Sequence, residues 1–109
     1  MKILYKTNKL KKSLTLDRQI IKEYGTLAKK IKQRMNELKA AENLAVIAIL
    51  PALRLHQYKK DTKIWSIDIQ QNWRILFELA QKPVPQLEDG GTALQEIRII
   101  KIISVEDPH

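Results

Sequence analysis

Residues 63–79, KIWSIDIQQNWRILFEL, narrow the fold more than any other stretch of this chain. Trp65, Ile67 and Ile69 fall on one parity, and Ser66, Asp68 and Gln70 on the other. After a polar break, Trp73, Ile75, Phe77 and Leu79 share a face, with Arg74, Leu76 and Glu78 opposite. A side-chain period of two over this length is the mark of strands that are half buried. The two runs meet at Gln71-Asn72, and Asn tolerates the positive φ of tight hairpin turns, so the spacing predicts a β-hairpin. One face of that hairpin is core. The other carries a single cation, Arg74, among polar neighbours.

Before the hairpin the period is different. Residues 2–6 read as a short strand flanked by lysines, which suits a sheet edge. Asn8 is a candidate N-cap for a short turn, and Thr15 or Asp17 can open a helix that Gly25 breaks. From Thr26 to Ala41, Leu27, Ala28, Ile31, Met35, Leu38 and Ala41 recur mostly at steps of three and four, the stripe of an amphipathic helix. Residues 44–50 are apolar all round and stop at Pro51, which favours a short buried helix. A second strand is expected where Leu53 and Leu55 alternate with Arg54, His56 and Tyr58. Pro83, Pro85, Gly90 and Gly91 make residues 81–95 a surface loop. Residues 97–105 carry Ile on both faces, as an inner strand does. Strands segregated from helices point to one α+β domain spanning residues 1–109: an antiparallel or mixed sheet of four to five strands, with two or three helices from the N-terminal half on one face.

Charge and composition exclude several classes. There is no Cys, so disulfides and thiolate metal sites are ruled out, and two isolated His residues make a poor zinc signal. No apolar run approaches the ~20 residues of a membrane span, and no signal peptide is visible, so a soluble cytoplasmic protein without membrane partners is expected. The net charge of +8 lies entirely in residues 1–50, while the rest is balanced. Such a surface suits a polyanion, or is a lysine-rich solubility surface.

Three places bring titratable groups to strand ends: His56 with Lys59, Arg74, and Asp107 with His109. Phosphodiester cleavage needs a cation for the phosphate and groups that move protons near neutral pH. Arg has the permanent planar fork for the first task, and His, with a reference pKa of about 6.5, suits the second. No metal or other cofactor is required. Each residue also has an ordinary reading: His56 as a structural histidine, Arg74 paired with Glu78 or Asp68, the tail frayed, both Trp in the core, and the lysines a solvated face.

Several of these residues carry a resemblance. Gly25 with LAKKIKQRMNEL soon after, Ala41-Glu42-Asn43-Leu44, Leu50-Pro51, Leu55-His56, Lys59, Trp65-Ser66, Asn72-Trp73-Arg74-Ile75 with Phe77, and Glu106-Asp107-Pro108-His109 together resemble the HigB branch of the RelE/ParE superfamily of bacterial toxin–antitoxin toxins. The resemblance spans nearly the whole chain and implies a RelE-like fold. It implies a type II toxin that enters the ribosomal A site and cuts mRNA without a metal, inhibiting translation. It also implies a cognate helix-turn-helix antitoxin, with operator DNA contacted only through the antitoxin complex. On this chain His56, Lys59, Arg74, Asp107 and His109 fall at the family's active-site positions. Arg74 would hold the scissile phosphate, His109 or Lys59 would move the proton, and Asp107 would orient its neighbours. Lys29, Lys30, Lys32, Arg54 and Arg98 are the candidate contacts to mRNA and ribosomal RNA.

The chain departs from the family pattern at two points. Pro108 stands where the tail usually has Tyr, and no Arg precedes the hairpin turn, where Asp68, Ile69, Gln70 and Gln71 stand instead. Both departures imply reduced or altered activity. The alternative function is a binding module on the same scaffold, either gyrase-directed or degenerate, acting by contact alone.

Overall fold

The structure, a computed structural model, describes residues 1–107. The chain opens with strand β1 (Lys2–Tyr5) and continues through helices α1 (Asn8–Thr15), α2 (Asp17–Tyr24), α3 (Ala28–Ala40) and α4 (Leu44–Ala48). Strands β2 (His56–Gln57), β3 (Trp65–Gln70), β4 (Trp73–Leu79) and β5 (Ile99–Glu106) follow. The fold is α+β, with one mixed five-stranded sheet in the order β1-β5-β4-β3-β2. β1 lies at one edge and runs parallel to β5, while the other pairings are antiparallel. β5 is flanked on both sides, as its isoleucines imply.

Local chemistry sets the boundaries. Thr7, one residue before the expected cap, accepts the Leu10 N–H at 3.1 Å and starts α1. Asn43 does the same for α4, accepting from the Val46 N–H at 3.3 Å. Gly25 ends α2 at φ 52° and ψ −117°, a positive-φ conformation that favours glycine, and a single 3-10 turn then leads into α3. The expected second strand is shorter than its alternation suggests. Pro51–Leu53 form a 3-10 turn and Arg54 is left-handed (φ 43°, ψ 55°), so pairing begins only at His56.

The core is one continuous cluster between the helices and one face of the sheet. Leu14, Ile20, Ile31, Met35, Leu38, Leu44 and Ile47 meet Trp65, Ile67, Ile69, Ile75, Phe77, Ile100 and Ile102. This face of the sheet is closed to solvent; the opposite face is open. No helix among the described residues is long and apolar enough to cross a membrane.

Two register shifts make this segregation of faces work. Gln70 pairs with Trp73 across the turn, yet Asp68 pairs with Arg74, so Ile69 is an extra residue in β3. Without that bulge, the Gln70–Trp73 register would carry on and set apolar Ile75 and Phe77 opposite polar Asp68 and Ser66. The turn residue with positive φ is Gln71 (φ 51°), not Asn72. The bulge is held from the helix layer. Arg34, only 4% exposed, donates to the Asp68 carbonyl at 2.8 Å and the Ile69 carbonyl at 3.3 Å, and pairs with Glu37 at 2.8 Å. A second shift in β5, between the pairs Ser104–Leu76 and Ile102–Phe77, keeps Ile102 in the core and Ser104 on the open face.

Candidate functional site

The cross-strand register writes two polar rows on the open face. In one, His56 on β2 pairs with Ser66 on β3, Ser66 with Leu76 on β4, and Leu76 with Ser104 on β5. In the next, Asp68 on β3 pairs with Arg74 on β4, and Arg74 with Glu106 on β5. Leu76 is buried but stands outside the main core, so it serves as an apolar floor between Ser66 and Ser104.

The centre of the second row is an ion-pair trio. Asp68 Oδ2 accepts from Arg54 Nε at 2.8 Å, and Oδ1 lies 3.4 Å from the second arm of the same guanidinium. Arg74 Nε lies 3.8 Å from Oδ1. Arg54 is not on a strand, and its left-handed backbone turns its side chain onto the sheet. Its guanidinium is held above its ordinary pKa, first by the hydrogen bond to Asp68, then by the charge of that carboxylate, with burial acting slightly the other way. Arg54 is 56% exposed, against 25% for Arg74 and 21% for Asp68. One cation of the trio is therefore solvent-exposed, and the other two groups are set into the sheet.

His56 is anchored by its neighbours. Its Nδ1 lies 3.0 Å from the Arg54 carbonyl oxygen, which can only accept, so Nδ1 carries the hydrogen. The Ser66 hydroxyl lies 3.2 Å from Nδ1 and 3.1 Å from Nε2, and with Nδ1 donating to the carbonyl, Nε2 is the nitrogen that can accept from it. Tyr58 stacks on the imidazole at 5.6 Å between ring centres. His56 and Arg74 are two strands apart, a lateral separation of roughly 10 Å at ~4.8 Å per strand. A nucleotide of single-stranded nucleic acid could bridge them. Ser104 donates to Glu106 at 2.6 Å at the far end of the rows.

The sequence-expected residues divide between two surfaces. His56, Arg74 and Arg54 share the open face, and Asp107 follows Glu106 directly, at the edge of the Arg74 row. Lys59 is exposed in the turn after β2, three residues from His56. His109 lies outside the described residues. Lys29, Lys30 and Lys32 ride on α3, whose packed side meets the closed face, so they look away from the Arg74 rows. Lys30 bonds Gln33 and Lys32 pairs with Asp17 at 3.2 Å. Arg98 precedes β5, about 26 Å along the strand from Glu106 at ~3.3 Å per residue. The candidate RNA contacts are thus not one patch.

Ser66, Asp68 and Arg34 matter to this site and are absent from the sequence-derived set. Ser66 and Asp68 share parity on β3 with His56's partner position, a signal present in the alternation. Arg34 sits inside an apolar stripe, where a lone Arg is itself unusual. Among the described residues no three imidazole or carboxylate groups gather closely enough to hold a metal ion. No protein-family model matches the chain, and no curated protein matches it.

Proposed function

We propose that this protein is the toxin of a type II toxin–antitoxin pair, a metal-independent endoribonuclease that cuts mRNA on the ribosome and so inhibits translation. The observation that supports the reading is the register that brings Arg74 and His56 to the open face, with Arg74 paired to Glu106, the residue before Asp107. The resemblance in the hairpin and tail supports it independently.

The chemistry follows from the groups. Arg74 holds the scissile phosphate and the charge that builds on its equatorial oxygens. His109 or Lys59 takes the proton from the ribose 2′-OH, and the 2′-oxygen attacks phosphorus. The P–O5′ bond breaks, leaving a 2′,3′-cyclic phosphate, and the 5′-oxygen gains a proton from a second acid. His56 is placed to supply or take a proton once Ser66 releases Nε2. The cytoplasm, a helix-turn-helix antitoxin, and mRNA with ribosomal RNA are the location and partners this activity requires.

A second reading, a binding module acting by contact, is favoured by the occupied state of the site. Asp68 already pairs with both Arg54 and Arg74, and Ser66 already bonds His56. Induced expression in a bacterium decides between the two. The nuclease arrests growth and leaves translated mRNAs cut, as primer extension reads, and Arg74→Ala and His109→Ala each restore growth and intact transcripts. Growth arrest with uncut mRNA overturns the nuclease in favour of the binding module.

A further inference from the structure

We propose that Asp68 is a resident anion in a two-arginine clamp: Arg54 and Arg74 together form a binding site for an RNA phosphodiester, and the carboxylate holds that site until RNA displaces it. The inference rests on the RNA-directed reading above; it adds Asp68 and joins Arg54, so far only a candidate RNA contact, to Arg74 in one site. Arg54 supplies the second cation that the hairpin lacks, arriving from the left-handed turn after Pro51–Leu53 instead of from β3.

The geometry makes Asp68 a stand-in for phosphate. Two carboxylate oxygens meet the fork of Arg54 at 2.8 and 3.4 Å, and one of them also faces Arg74 at 3.8 Å. A guanidinium presents the same paired N–H groups to two carboxylate oxygens as to two non-bridging phosphate oxygens. With Asp68 in place the trio carries a net charge of +1, half of what the two arginines would offer alone. The members differ in freedom. Asp68 is tied to the sheet, its carbonyl gripped by buried Arg34, and Arg74 lies on a paired strand. Arg54 is the exposed member on irregular backbone, so it is the arm that swings. An exposed ion pair of this kind is weak. A small anion gains little by replacing it, whereas a polyanion that releases counterions at several phosphates can do so.

The test uses the full chain and a fluorescein-labelled single-stranded oligouridylate, read by anisotropy over a salt series. Asp68→Asn binds about tenfold more tightly, and the slope of log K against log salt steepens by about 0.7, one further phosphate contact on a single strand. Glu88→Gln, an exposed acid of the 81–95 loop, controls for net charge and gains much less. In an Arg54→Ala background the gain from Asp68→Asn falls to that of the control. A gain equal to that of Glu88→Gln, or one that survives without Arg54, overturns the clamp. The unmodified protein gives a readout free of any folding defect: the Arg54 Nε–H resonance shifts as RNA is added, and a resonance unmoved at saturation overturns the proposal. None of these readouts depends on strand scission. RNA that is held by the clamp but stays whole upholds this proposal and sinks the nuclease. RNA that is cut while Asp68→Asn binds no better than the parent does the reverse.

Discussion

The two faces of one sheet are built from the same strands and obey different rules. On the closed face Ile67, Ile75, Phe77, Ile100 and Ile102 are fully buried against the helices. On the open face, one residue away along each strand, Asp68, Arg74 and Ser104 make polar contacts that water can compete for. Burial on the first face is worth about 25 cal/mol per Å² of apolar surface and is not negotiable by small ligands. Ion pairs on the second are worth about 0–1 kcal/mol each, so they can be exchanged for a ligand at little cost to the fold. Stability and the proposed function are thereby separated by the pleat. The bulge at Ile69, locked by Arg34, is the joint that keeps the separation in register.

The sharpest test of this division sets Phe77 and Arg74, on opposite faces of β4, against each other, with Arg34 on α3 between them in effect. Phe77→Ala empties the closed face and lowers unfolding free energy by about 3–5 kcal/mol, measured by urea denaturation. Arg34→Ala attacks the joint. It leaves the Asp68 and Ile69 carbonyls without their donor and loses about 2–3 kcal/mol. It also disturbs the open face, so the Arg54–Asp68 pair loosens as well. If Arg34→Ala were silent in denaturation, the joint would be no joint. Thr7→Ala, far from either face's centre, removes the α1 cap for about 1 kcal/mol. Arg74→Ala costs the fold about 0–1 kcal/mol, while on the proposed function it abolishes the growth arrest expected of the parent. A large loss of stability there would mean the open face carries the fold too, and the comparison would fail.

The smallest effect concerns Tyr5, at the edge strand. Burial pushes its phenol above 10.0. A group whose folded pKa is raised contributes its full stability below the unfolded value. That contribution drains away as pH rises from the unfolded toward the folded value, because the unfolded chain loses its proton first. Stability therefore falls as pH climbs through about 10, and Tyr5→Phe flattens that fall in urea titrations on either side of it.

Much of the hairpin was legible because alternation records burial directly. Trp65, Ile67, Ile75 and Phe77 could only be core, and Arg74 could only stand opposite. Even the bulge is implicit in the numbering. Core residues of odd number on both strands cannot face one another across a two-residue turn unless one extra residue is inserted. The helix over α3 was legible from its period, with its ends off by two residues or fewer. The strand after Pro51 was not, because alternation reports exposure and is blind to the left-handed turn at Arg54.

The sequence by itself determined the α+β class, the hairpin and which side of it would be dry, since each follows from the spacing of apolar residues along the chain. Only the tertiary structure decided the company Arg74 keeps. Arg54 reaches Asp68 from fourteen residues earlier. Arg34 reaches the bulge from thirty-four residues away. Glu106 arrives from the far end of β5. No local pattern encodes such meetings, because they depend on strand order and register, which are settled by packing the whole core at once.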